Sequence, residues 1–402
     1  MRLILPLLLA LSAPAGAAQI VRGPYLAAGA HDSMTVRFRA DVSTVAWLRY
    51  GIAPDCERVT TMNYATREHR FPLFGLLADT TYCYRIFLPE PTGQAVYKAA
   101  EGRFKTFPPA EKEAFTFLAF GESGSASAGD AMREVVHVPQ AELAAQMDRL
   151  SPDFVIHTGG LVASGLDEDA DAQYFTPYAG LLRRTPFFPV PGSSEYGPEA
   201  GTAEGKGFLR ENYSPFQSVP LTGLPPHYYY FDVANARFIA LDSNSFGGAA
   251  AAPALARNSK QYKWLDYVLS RTKKEWKFVI LHHPLYSSGE YGILEEMNET
   301  LRPLFEKHQI DAVFQGHERV YERTSALVGD SVTEGGIVYL TLGGGGRSPA
   351  APREETAEWS EKFLPEPHFA EGRVNGRLFT LMVYGKDGTV LDIFRIEKPA
   401  LP

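Results

Sequence analysis

Five stretches of this chain share one design: a short apolar run that ends in glycine, histidine or a polar residue. They occupy residues 115–124, 154–165, 187–195, 278–284 and 312–319. In the second, Phe154, Val155 and Ile156 read as a buried strand, and Gly159 and Gly160 break it into a loop. In an open α/β sheet, the loop at a strand's carboxyl end is where chemistry is usually placed. Between the strand ends the spacing turns helical, as in residues 142–150 and in Tyr262, Leu265, Val268 and Leu269, where Ser259 offers an N-cap. Residues 228–241 read as two strands around a turn at Ala234 and Asn235. Residues 377–396 read as a closing hairpin, and the Gly- and Ala-rich residues 247–253 as a flexible loop.

The amino-terminal part follows a different pattern. Arg2, an apolar run from Leu3 to Leu11, and then Ala15, Gly16 and Ala17 have the layout of a secretory signal peptide. Residues 1–18 are therefore expected to be removed and the protein to be secreted or periplasmic. Residues 19–108 read as all-β, with short strands at 34–38, 45–50 and 81–87 separated by Gly, Pro, Asp and Asn. A proline-containing charged segment then leads into the alternating part, 114–398. A net charge of −8 with no basic stripe argues against nucleic acid as a partner. No later stretch reaches the roughly 18 apolar residues of a membrane span. Export permits a bond between Cys56 and Cys83. Alternation sets Cys83 on the face opposite Tyr82 and Tyr84, so a disulfide and two buried thiols both stay open.

In this order the five strand ends resemble the five blocks of the calcineurin-like metallophosphoesterases, and the purple acid phosphatases in particular. Gly23, Pro24, Tyr25 and Leu26 are similar to the opening of that family's amino-terminal domain, and residues 76–82 resemble the turn into a fibronectin type III tyrosine corner. The resemblance implies an α/β metallophosphoesterase sandwich, two central mixed sheets flanked by helices, preceded by an all-β fibronectin type III-like sandwich. It also implies two metal ions that polarise a phosphoryl oxygen and activate water.

The ligands that this chemistry needs are mostly replaced. Glu122 stands where Gly-Asp-x-Gly has its aspartate. Gly160 and Ala163 stand where Gly-Asp-x-x-Tyr has the bridging aspartate and the tyrosine. Gly-Asn-His-Glu becomes Gly192, Ser193, Ser194 and Glu195. His282 matches Val-x-x-His and is followed by His283. Gly-His-x-His becomes Gly316, His317, Glu318 and Arg319. Glycine has no side chain to ligate a metal, and arginine cannot release its proton to do so.

Glu122, His282 and His317 are thus the remnants of a metal site, in a cleft with Gly160, Ala163, Ser193, Ser194, Glu195, His283 and Arg319. No residue is assigned a catalytic role. The expectation is no metal, or at most one divalent ion (zinc, iron or manganese) on His282 and His317 with Glu195 or water. Glu122 and Arg319 are expected to pair across the vacated first-metal position, because an unpaired buried carboxylate is costly. Gly343 to Arg347 resembles the family's glycine turn and is read as a tight turn. The function expected is that of a pseudo-phosphatase, binding an oxyanion, a phosphoester or a protein or cell-surface partner. The alternative is an acid phosphatase or phosphodiesterase with a rebuilt, one-metal site. Joint replacement of so many ligands fits either natural loss or deliberate substitution.

Overall fold

The computed structural model describes residues 16–93, 95–124, 133–163, 170–196, 227–351 and 355–399. All but the end of the expected signal peptide lies outside these residues. Strands β1 (Ile20–Ala27), β2 (Ser33–Ile52), β3 (Arg58–Phe74), β4 (Thr81–Pro89) and β5 (Val96–Lys105) come first. One hydrogen-bonded network joins them, but the register resolves it into two layers. The first half of β2, Ser33–Ala40, pairs with β1 and with the end of β3. Its second half, Thr44–Ile52, pairs with the start of β3 and with β4. Met34, Val36 and Phe38 from one half share a core with Leu48, Tyr84, Ile86 and Phe104 from the other, as two facing sheets must. The Leu77 backbone N–H donates to the Tyr82 hydroxyl at 2.8 Å, which is the tyrosine-corner contact expected from residues 76–82. Cys56 and Cys83 form a disulfide, which decides between the two states left open by sequence.

Fifteen further strands follow: β6 (Ala114–Phe120), β7 (Phe154–His157), β8 (Phe187–Pro189), β9 (Tyr229–Val233), β10 (Ala236–Ala240), β11 (Trp276–Ile280), β12 (Ala312–Gln315), β13 (Tyr321–Thr324), β14 (Leu327–Val328), β15 (Ser331–Val332), β16 (Val338–Leu342), β17 (Ser360–Leu364), β18 (His368–Asn375), β19 (Leu378–Gly385) and β20 (Val390–Glu397). A six-stranded sheet runs β20-β19-β18-β6-β7-β8 and a seven-stranded sheet β17-β13-β16-β12-β11-β10-β9. Both are mixed, as the α/β sandwich requires.

Alternation along the strands sets the layers. Phe117 and Ala119 point between the sheets, while their neighbours Leu118 and Phe120 point outward. The inner core is aromatic: Phe117 stacks on Phe154 and meets Phe238 and Phe314 edge-on, all at 5.2–5.7 Å. Such pairs add about 0.5–1.5 kcal/mol each beyond the area they bury. Helices α1 (Arg133–Met147) and α2 (Ala179–Leu182) cover the outer face of the six-stranded sheet. Helices α3 (Lys260–Arg271) and α4 (Glu295–Lys307) cover the other sheet through Leu265, Leu269, Leu301 and Phe305. Ser259 caps α3 by accepting the Tyr262 N–H.

Residues 247–253 form a loop that is partly packed against the helices of the six-stranded sheet. Ala249 is buried, and its N–H donates to the Asn244 carbonyl. Parallel pairing of β6, β7 and β8, and of β10, β11, β12 and β16, brings the carboxyl ends of seven strands to one edge of the sandwich.

Phe117→Ala is expected to lower stability by about 3–5 kcal/mol through a large core cavity. Val390→Ala, at an exposed site on β20, should cost less than about 0.5 kcal/mol. Urea midpoints of the two variants check this contrast.

Candidate functional site

The cleft is built from the loops that follow β6, β7, β8, β10, β11, β12 and β16. Its centre is the Arg347 guanidinium, which enters from the glycine turn after β16. Nη1 pairs with Glu122 Oε2 at 2.9 Å, Nε donates to the Gly124 carbonyl at 2.7 Å, and Nη2 reaches the Val162 carbonyl and Ser194 Oγ. The Arg347 N–H also donates to the Glu122 carbonyl at 3.0 Å. One side chain therefore binds three separate loops.

This corrects two expectations. The cation on Glu122 is Arg347, whereas Arg319 turns to the rim and pairs with Glu290 at 3.1 Å. Residues 343–347 do more than turn the chain, because they deliver the guanidinium.

Glu122 and Gly160 fit each other sterically. A Cβ placed on Gly160 would lie 2.5 Å from Glu122 Oε1, so the longer carboxylate fills space that any side chain at 160 would need. Glu122 (φ 53°) and His317 (φ 67°) both hold the left-handed backbone conformation, which costs a non-glycine residue about 1–3 kcal/mol. Such strain persists only where surrounding contacts enforce it. Burial pushes the Glu122 carboxyl up to about 7, against the lowering pull of Arg347.

Glu195 is no metal ligand. Its Oε2 accepts the Gly160 and Gly192 N–H groups at 2.9 and 2.6 Å, and its Oε1 accepts the Val162 N–H at 3.1 Å. It is fully buried and ties the second loop to the third. Ala163, in place of the expected tyrosine, is fixed by its backbone, which donates to Gln173 Oε1 at 2.7 Å. Ser193 Oγ lies 3.4 Å from His282 Nε2.

The histidines form a cluster. His282 Nδ1 donates to the Thr158 carbonyl at 2.9 Å, which leaves the lone pair on Nε2 facing His317 Nδ1 at 3.2 Å. His283 joins them, with its ring 4.9 Å from His282 and 4.7 Å from His317, and Ser243 Oγ holds its Nδ1 at 2.9 Å. Ser243 is fixed in turn by the loop after β10, where Asp242 Oδ1 accepts two N–H donors of Asn244. Burial lowers all three rings, His283 to about 3, His317 to about 4, and His282 well below its ordinary value. They are neutral at physiological pH. The buried Glu318 carboxylate accepts the N–H groups of Glu290, Tyr291 and Gly292, which seats the Tyr291 ring 4.4 Å from His317. Neither Glu318 nor Arg347 was singled out by sequence. A long side chain anchored beside a motif glycine is the only signal that pointed to either. His157, fully buried at the end of β7, has its Nε2 2.8 Å from Ser123 Oγ.

Residues 136–321 match the sequence profile of the calcineurin-like phosphoesterase family. Purple acid phosphatase 21 of Arabidopsis thaliana is 31% identical over 189 residues, 43% of this chain and 41% of that protein. The Fe(3+)-Zn(2+) purple acid phosphatase 12 of the same plant is 30% identical over 38% of this chain and 34% of its own length. The matched stretch thus spans less than half of either relative. The purple acid phosphatase PPD1 from yellow lupin (Lupinus luteus) seeds superposes with a TM-score of 0.77 at 19% identity, covering 94% of this chain and 74% of that one.

A dinuclear centre does not fit the residues present. Position 160 offers no side chain, Glu195 is saturated by backbone donors, and the only carboxylate at the first-metal position is already paired with Arg347. A single ion fits the histidine cluster, whose ligand atoms lie within 4.8 Å of one another.

Gly160→Asp is expected to destabilise the fold by about 1–3 kcal/mol from its positive φ alone, before displacement of Glu122. Gly160→Asp combined with Glu122→Ala should cost less than the sum of the single variants, because removing one carboxylate makes room for the other. Denaturant titration of all three variants measures that coupling.

The buried histidines also set a pH response. Their pKa values are depressed by folding from about 6.5, so the stability they confer is complete above that pH and is lost as pH falls toward about 3 to 4. Each contributes about 1.4 kcal/mol per pH unit inside that window. The raised pKa of Glu122 acts in the opposite sense, favouring the fold below about 4.5 and losing that contribution as pH rises through about 7. In chelator-treated protein, the denaturant midpoint should fall between pH 6.5 and 4. A His157→Leu variant should show a slope shallower by about one proton's worth.

Proposed function

We propose that this chain, a purple acid phosphatase-like member of the calcineurin-like metallophosphoesterases, is an exported pseudo-phosphatase. In this reading the first metal position of the family is taken over by the Glu122–Arg347 ion pair. The cleft then serves to bind a phosphoester or other oxyanion rather than to hydrolyse it through two metals. The observation that carries the reading is the mutual fit of Glu122, Gly160 and Arg347. The carboxylate fills the space at residue 160, and the guanidinium supplies the positive charge that a metal would bring. Arg347 remains about one-fifth exposed, and neutral imidazoles line the cleft beside it, a combination suited to accepting an anion. Export is supported by the signal-like layout of residues 1–18 and agrees with a disulfide at Cys56 and Cys83.

One observation favours a second reading, a phosphoesterase rebuilt around a single ion. The three histidines supply the nitrogen donors that such a site needs.

The discriminating measurement is turnover of p-nitrophenyl phosphate and bis(p-nitrophenyl) phosphate from acidic to alkaline pH, with iron, zinc or manganese supplied. Ordinary enzymes turn over at about 10 per second. The expected rate lies at least about 10³-fold below that, unaltered by chelator and equal in a His317→Ala variant. Metal-dependent turnover abolished by chelator would sink the pseudo-phosphatase reading in favour of the second.

A further inference from the structure

We infer that His283 completes a mononuclear, all-imidazole site for a zinc-class divalent ion with His282 and His317. The inference rests on the reading that the first-metal position belongs to Glu122 and Arg347. It goes beyond that reading by assigning a third ligand from outside the family's own ligand positions.

Ligand nitrogens of the three rings all lie within 4.8 Å of one another. His282 Nε2 and His317 Nδ1 are 3.2 Å apart. Zinc–nitrogen bonds of about 2.0–2.1 Å around a tetrahedron set neighbouring nitrogens about 3.3–3.4 Å apart. Those two rings therefore already stand at the separation that one ion requires.

Each ring is also held from behind. The Thr158 carbonyl fixes the His282 tautomer so that Nε2 carries the lone pair, the arrangement by which metal-ligating histidines are usually oriented. Ser243 fixes the ring of His283, and Tyr291, seated by Glu318, packs on His317. Glu122 Oε1 lies 3.7 Å from His282 Nδ1 and places negative charge behind the ligand shell, offsetting the nearby guanidinium.

The donor set decides which ions fit. Three neutral nitrogens with no carboxylate or phenolate suit zinc, copper or nickel, while manganese prefers oxygen. Ser193 Oγ lies 3.4 Å from His282 Nε2, the nitrogen that an ion would use. The ligand set differs from that implied by the family resemblance, because residue 160 contributes nothing and residue 283 takes its place.

The test uses the full chain, stripped with chelator and dialysed against zinc or against manganese, with bound metal counted by elemental mass spectrometry. About one zinc per chain and almost no manganese are expected. Cobalt(II) should give the intense visible absorption of a tetrahedral complex. His283→Ala and His317→Ala should each weaken zinc binding at least about tenfold. A zinc-dependent rise in the wild-type thermal midpoint provides a readout that needs no variant. A chain that retains no zinc and shows no thermal shift, or a folded His283→Ala variant that binds zinc as tightly as wild type, overturns the inference. Neither result touches the pseudo-phosphatase reading. Two ions per chain together with phosphoester turnover would instead remove that reading.

Discussion

The geometry of the cleft depends on one guanidinium. Arg347 lies 225 residues beyond Glu122 in sequence, yet its donors reach Glu122, Gly124, Val162 and Ser194, on the loops after β6, β7 and β8. Removing one partner of a buried ion pair typically costs about 3–5 kcal/mol, because the other charge is left uncompensated. Arg347 is partly exposed, so water softens that figure on its side. Glu122 is almost entirely buried and has no such relief. The strained backbone at Glu122 is consistent with this reliance, since a left-handed non-glycine residue holds only where its contacts are worth more than the strain.

The rest of the fold serves to bring those loops together. The aromatic layer between the sheets fixes their separation, and parallel pairing places successive strand ends on one edge. Buried carboxylates then fix the loops themselves, because irregular backbone under cover still needs partners for its N–H groups. Glu195 satisfies three such groups and Glu318 three more. Residues that look like surviving ligands or motif spacers are in fact backbone acceptors. Their burial would be unfavourable without those donors.

The strands were legible in sequence because apolar runs of this length, bounded by glycine and proline, have few other uses. The helix at Ser259, the turn at Ala234 and Asn235 and the closing hairpin were readable for the same reason. Long-range pairing was not. Glu122 was correctly expected to need a cation, but sequence offered Arg319, the residue at the family's ligand position, and the structure uses Arg347. Local pattern says where a loop begins and says little about which of two arginines a carboxylate will meet. His283 was visible as a neighbour of His282, but its convergence with His317 depends on the register of β11 against β12 and on the loop that carries Ser243.

The replacements also make sense as a set. A cleft built for two cations holds several carboxylates, and losing the cations alone would leave those charges buried and repelling one another. Here residue 160 is glycine, Glu122 is paired with Arg347, the buried Glu195 and Glu318 carboxyls are held by backbone N–H donors, and the histidines are neutral. The Glu122–Arg347 pair is balanced within itself, so neither charge is left uncompensated under cover. It also constrains what can enter. A cation that joins the histidines lies beside a carboxylate already engaged by Arg347. Under the function proposed above, the partly exposed Arg347 guanidinium is the group that would meet an oxyanion in the cleft.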